Sequence, residues 1–154
     1  MRVSRIAYFV LIASVLLAAC APKSTEPQPP EIVYGQDMCD ECGMIISEAK
    51  FAAATLLTSG EALKFDDISD MIMHHMDHPE DQVKAWFVHD YKGEHWIRGE
   101  TAYFVKSDRL KTPMGGGVAA FENKAAAEAF AADMSGKIHT LDELRVAIHE
   151  AVHG

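Results

Sequence analysis

An α+β domain made of two small ββαβ-type units is the fold this sequence predicts, and three observations carry the prediction. Short runs of strand-forming residues are separated by turn signals such as Ser59-Gly60 and Lys92-Gly93. Apolar residues then recur at helical spacing in three later stretches. The order strand, strand, helix also appears twice, with Phe65-Asp66-Asp67 echoed by Phe121-Glu122-Asn123, each an aromatic at a strand end followed by a polar residue fit to cap a helix.

The chain opens with Arg2 and Arg5 ahead of an uncharged apolar run, Ile6 to Ala19, that stops at Cys20. Residues 1–19 read as a signal peptide: the run is shorter than the roughly 20 residues a spanning helix needs and ends in small residues. Leu17-Ala18-Ala19-Cys20 resembles a bacterial lipobox, in which the cysteine is acylated and becomes the new N-terminus. Cys20 is therefore the expected lipidation site, with acyl chains anchoring the protein at about 0.8 kcal/mol per buried methylene. Ala21 follows in place of an aspartate, which by known sorting rules favours the outer membrane. Residues 20–31 carry Pro22, Pro27, Pro29 and Pro30 and almost no apolar bulk, so they form a lipidated flexible tether.

Regular patterning starts near Ile32. In the first unit, 32–98, Phe51 to Leu57 and Ala62 to Phe65 read as strands, Ile68 to Met76 as a helix ended by Pro79, and Val83 to Val88 and Glu94 to Ile97 as further strands. In the second unit, 99–154, Thr101 to Lys106 and Val118 to Phe121 read as strands, and Lys124 to Met134 as an alanine-rich helix terminated by Gly136. Lys137 to Thr140 reads as a closing strand and Leu141 to Val152 as a last helix.

The formal charge of −9 at pH 7 becomes more negative once Arg2 and Arg5 leave with the signal. No nucleic acid is expected as a partner, because phosphates would be repelled; solubility outside the cell, or attraction of cations or a basic partner, accounts for the acidity. A phosphate-binding Gly-rich loop and a GxSxG elbow are missing from the sequence, and an enzyme is not expected.

The densest chemistry lies in Met38-Cys39-Asp40-Glu41-Cys42-Gly43-Met44, two thiols and two thioethers in one short segment. Thioethers suit Cu(I) and add little for zinc or hard cations. Gly43 permits a tight turn that lets Cys42 and Met44 converge. Cys39-x-x-Cys42 by itself also fits a structural disulfide, a thiol-disulfide oxidoreductase of the cell envelope, or half of a zinc site. The zinc reading lacks a second CxxC, and the redox reading lacks the Trp and Pro familiar around thioredoxin-type cysteines.

A second feature, Thr112-Pro113-Met114-Gly115-Gly116-Gly117, holds one Met between a rigid proline and three glycines, in a loop with little core to join. A third, Met71 to His78, is rich in imidazole and thioether: Met and Ile facing the core with His facing solvent would account for it, and a second metal site is the alternative. His149 and His153, four apart on the last helix, make a weaker pair.

The lipobox, the MCDECGM segment, the strand-helix layout and the PMGGG loop together resemble the NosL family of lipoprotein copper chaperones, from Cys20 to about Leu144. The resemblance implies a Cu(I)-binding protein, lipid-anchored on the periplasmic side of the envelope, that delivers copper for the multi-copper centre of nitrous-oxide reductase. Its partner would be the reductase or its membrane-bound maturation machinery. Cys42 and Met44 match the family's Cys-x-Met element, and Met114 its later Pro-Met-Gly element. Cys39 and Met38 stand beside them as further candidate ligands, Cys39 alternatively closing a disulfide with Cys42.

Overall fold

A computed structural model describes residues 26–154. The expected signal peptide, the expected lipidation site Cys20 and the first part of the expected tether lie outside the described residues. Residues 26–33 run without helix or strand.

Seven strands and three helices follow. The first unit contains β1 (Ala53–Leu57), β2 (Ala62–Phe65), α1 (Ile68–Asp77), β3 (Val83–His89) and β4 (Trp96–Arg98). The second contains β5 (Tyr103–Lys106), β6 (Val118–Phe121), α2 (Lys124–Met134), β7 (Lys137–His139) and α3 (Leu141–His153). The strands form two antiparallel sheets, ordered β2-β1-β3-β4 and β6-β5-β7. In both, the first strand of the unit is central, its hairpin partner lies on one side and the strand after the helix on the other. The repeat read from sequence is thus a repeat of topology.

The two matching strand ends do what their residues suggest. Phe65 closes β2, and Asp67 caps α1 by accepting the Ser69 N–H. Phe121 closes β6, and Asn123 caps α2 by accepting the Ala126 N–H. Thr140 and Glu143 form a capping box that starts α3.

Three expectations shift in the structure. Strands β1 and β5 begin two residues later than Phe51 and Thr101, because one 3-10 turn precedes each, Ala49–Phe51 and Gly99–Thr101. The turn before β4 places Glu94, not Gly93, at positive φ; a Cβ on Gly93 would strike the His95 ring. Helix α2 ends on Ser135 in the left-handed region, while Gly136 is needed because a Cβ there would overlap Val105 and the Lys106 carbonyl.

One core is shared by both units. Ile32, Cys39 and Ile46 from the first loop meet Phe65 and Val88 of the first sheet, Ile68, Met71 and Ile72 of α1, Phe104 and Val118 of the second sheet, and Leu144 and Ile148 of α3. Each large side chain buried there contributes about 1.5–3 kcal/mol. A smaller cluster, with Val105, Phe121, Ala127 and Ala131, seats α2 on the other face of the second sheet. Between the sheets, the Tyr91 N–H donates to the Ala120 carbonyl at 2.8 Å and the Glu122 N–H to Asp90 Oδ1 at 2.9 Å. Helix α1 is consequently covered on several sides, and His74 and His75, expected toward solvent, are buried.

Candidate metal centre

The MCDECGM segment folds as a tight hairpin laid along strand β2. The Cys39 N–H donates to the Met44 carbonyl at 2.8 Å, the Gly43 N–H donates to the Cys39 carbonyl at 2.9 Å, and Met38 pairs with Ile45 in an isolated antiparallel bridge. Gly43 has φ 69°, the left-handed conformation the turn requires. Asp40 fastens the hairpin to β2: its N–H donates to the Lys64 carbonyl at 2.8 Å, and its carboxylate accepts the Lys64 N–H at 2.6 Å. Lys64 returns an ion pair to Asp37 at 2.7 Å.

This arrangement separates the sulfur atoms by environment. Cys39 is 3% exposed and packs in the core, Cys42 is half-buried beside it, and Met38 and Met44 stand out at 61% and 58% exposure. Both cysteines are free thiols. Cys39 Sγ donates to Asp70 Oδ2 at 3.6 Å and accepts the Cys42 N–H at 3.4 Å. The ligand atoms of Cys39, Cys42 and Asp70 all lie within 4.8 Å of one another.

Burial pushes the Cys42 thiol up to about 12, with the Met44 N–H opposing the rise and hydrogen bonds to Cys39 and Asp70 adding to it. Burial also raises Asp70 above the ordinary carboxylate range, an effect that hydrogen bonds from the two thiols counter and the charges of Asp67 and Glu41 reinforce. A soft cation entering here would exchange with thiol protons and would find a carboxylate close by.

The second loop reaches the same helix one turn earlier. The Met114 N–H donates to Asp67 Oδ2 at 3.1 Å, and Gly116 lies against Ser69 so closely that a Cβ would overlap its hydroxyl. The Gly117 N–H donates to Thr112 Oγ1 at 3.1 Å, and Gly115 and Gly117 have φ 77° and 66°. Met114 is 44% exposed and borders an open groove of about 230 Å³, lined also by Met73, Ile148 and Val152. The first turn of α1 therefore carries both loops, the Met114 loop on Asp67 and the cysteine hairpin on Asp70.

Neither aspartate stood out as a site residue in the sequence. Asp67 was legible only as a cap, and the signal that could have found Asp70 is its place three residues further along the same helix, next to the thiol-rich segment in space.

The imidazoles form a separate group. His74 Nδ1 meets Glu41 Oε2 at 2.9 Å, His74 Nε2 lies 3.4 Å from Asp81, and the His78 ring stacks on His74 at 4.3 Å. His75 bonds Thr55 Oγ1 at 2.9 Å in the interior. His149 and His153 sit together at the end of α3, with ring centroids 4.7 Å apart.

A family model described as NosL matches residues 30–148. Among characterised proteins, the chain is similar to the copper-binding lipoprotein NosL of Stutzerimonas stutzeri, 27% identical over 159 residues, with 94% of this chain and 83% of that one covered. Among solved structures it is similar to the crystal structure of the copper chaperone NosL from Shewanella denitrificans, at 28% identity and a TM-score of 0.66, over 77% of this chain and 96% of that one.

Proposed function

The chain belongs to the NosL family, and from that premise we propose that it is a copper chaperone that binds Cu(I) through Cys42, Met44 and Met114. Cys39 and Met38 are secondary sulfur donors in this reading. The acceptor is nitrous-oxide reductase or its membrane-bound maturation machinery, and the protein works from the periplasmic side of the envelope, held at the outer membrane by an acylated Cys20.

The observation that carries the reading is the joint seating of the cysteine hairpin and the Met114 loop on one helical turn, with Met44 and Met114 exposed. Exposed thioethers are available to a partner as well as to the metal. Thiolate and thioether form a soft donor set, which favours Cu(I) over Zn(II). The raised Cys42 thiol supports delivery rather than storage, because protons compete with the metal for it at neutral pH. The same elevation weighs against a thiol-disulfide oxidoreductase, whose attacking cysteine needs a lowered pKa.

No helix among the described residues is long and apolar enough to cross a membrane, and in this proposal the acylated Cys20 supplies the attachment. The test is anaerobic titration of the mature chain with Cu(I) against a competing chelator. Tight one-to-one binding that Cys42→Ala abolishes and Zn(II) does not displace is expected. Insulin reduction at a catalytic rate, with weak copper binding, would turn the assignment to the oxidoreductase.

A further inference from the structure

We infer that Asp67 is a positioning residue for the metal: its second carboxylate oxygen holds the Met114 backbone where the thioether can join the site built around Cys42. The inference rests on the copper reading proposed above and adds to it the residue that couples the two loops.

A helix cap needs one side-chain oxygen, and Asn, Ser and Thr supply it about as well as Asp. Asp67 meets that need with Oδ1, which accepts the Ser69 N–H at 2.9 Å and the Ser69 hydroxyl at 2.8 Å. Oδ2 is thereby left for the Met114 N–H, 3.1 Å away and far along the chain. The side chain is fully buried, an environment in which an Asn, Ser or Thr cap would be cheaper to accommodate.

The other unit provides an internal comparison. At the matching position, the Asn123 side-chain oxygen accepts only the Ala126 N–H, and no distant loop is tied to it. The extra oxygen at position 67 therefore does something that capping does not require.

The Met114 loop depends on such a tie. Met114 and Gly115 are exposed, and Gly115 and Gly117 both occupy left-handed conformations. Gly116 allows the backbone to approach Ser69, but a missing side chain permits an approach without enforcing it. The Asp67 bond supplies the enforcement, from a residue itself locked by its cap.

Asp67→Asn separates the two tasks, since the amide keeps one oxygen for the cap and turns a donor toward the Met114 N–H. Asp67→Ser, which caps with a single oxygen, is the second variant. Each is prepared as the mature chain, loaded anaerobically with Cu(I), and compared with the parent, Met114→Leu and the double variant Asp67→Asn/Met114→Leu. Copper X-ray absorption counts the sulfur ligands, chelator competition gives the affinity, and thermal melts report the fold.

The expected result is that Asp67→Asn and Asp67→Ser melt near the parent, lose one sulfur from the copper shell and lose affinity by the same factor as Met114→Leu. The double variant should lose no more than either single change. The parent's sulfur count in both Asp67 variants, or a double variant whose loss is the product of the two, overturns the role of Asp67 while leaving Met114 a ligand. An unchanged Met114→Leu overturns Met114 as a ligand and this inference with it.

Discussion

Because burial holds the Cys42 thiol at about 12, copper at neutral pH has to displace a proton from it. The thiol stays protonated throughout the range below that value, so Cu(I) affinity should rise about tenfold per pH unit between pH 6 and 8. A chelator titration at several pH values checks this; a flat profile would remove Cys42 from the ligand set. Cys42→Ala should abolish tight binding, whereas Met44→Leu and Met114→Leu, which remove neutral donors, should weaken it by smaller factors. Cys39 behaves differently because it is buried and donates to Asp70. Cys39→Ala should retain copper and make binding less sensitive to oxidation. Leaving Asp70 without that donor should also destabilise the fold by about 1–3 kcal/mol, measurable by urea unfolding. That Met38, Cys39, Cys42 and Met44 lie together could be read directly from the sequence, although Cys39-x-x-Cys42 by itself also left a disulfide, a redox pair and half a zinc site open. The aspartates beneath them could not, because their role arises only when the loops are folded onto α1.

Helices and strands with a strong period were legible almost to the residue: β2, β6 and α2 span the stretches their patterns predict. The starts of β1 and β5 were not, because a 3-10 turn of three residues leaves no periodic trace. Helix α1 shows a different limit. Its spacing separates faces, but only packing decides that the faces bearing His74 and His75 are covered too, by Glu41 and Asp81 on one side and by Thr55 and Trp86 on the other. That burial has a consequence for α1. Desolvation lowers His75 to about 4, with the neighbouring His74 adding to the shift, and its Nδ1 has no hydrogen-bond partner among the described residues. An imidazole lowered on folding stabilises the neutral-pH fold, in full above its unfolded value of about 6.5, and that stability is lost as pH falls toward 4. Melting temperatures should therefore drop across that window, and His75→Gln should flatten the drop. Equal slopes for parent and variant would mean that other groups set the acid sensitivity.

The whole molecule is an acidic domain whose two ββαβ units share one core, and that sharing brings a loop from each unit to the N-terminus of α1. A cation is attracted by the net charge before any ligand is engaged. Binding that occurs only in the folded state should stabilise the protein: Cu(I) at a hundred times its dissociation constant should add about 2.7 kcal/mol, seen as a raised melting temperature that Cys42→Ala loses. In cells, Cys20→Ser should move the protein out of the membrane fraction, and retention at the parental level would remove the lipid anchor from the account. The central claim, that one Cu(I) is held by sulfur from both units, is tested most directly by copper X-ray absorption on the Cu(I)-loaded mature chain beside Met114→Leu. An all-sulfur shell that loses one ligand in Met114→Leu is the predicted result; a shell containing nitrogen or oxygen, or one that Met114→Leu leaves unchanged, would contradict it.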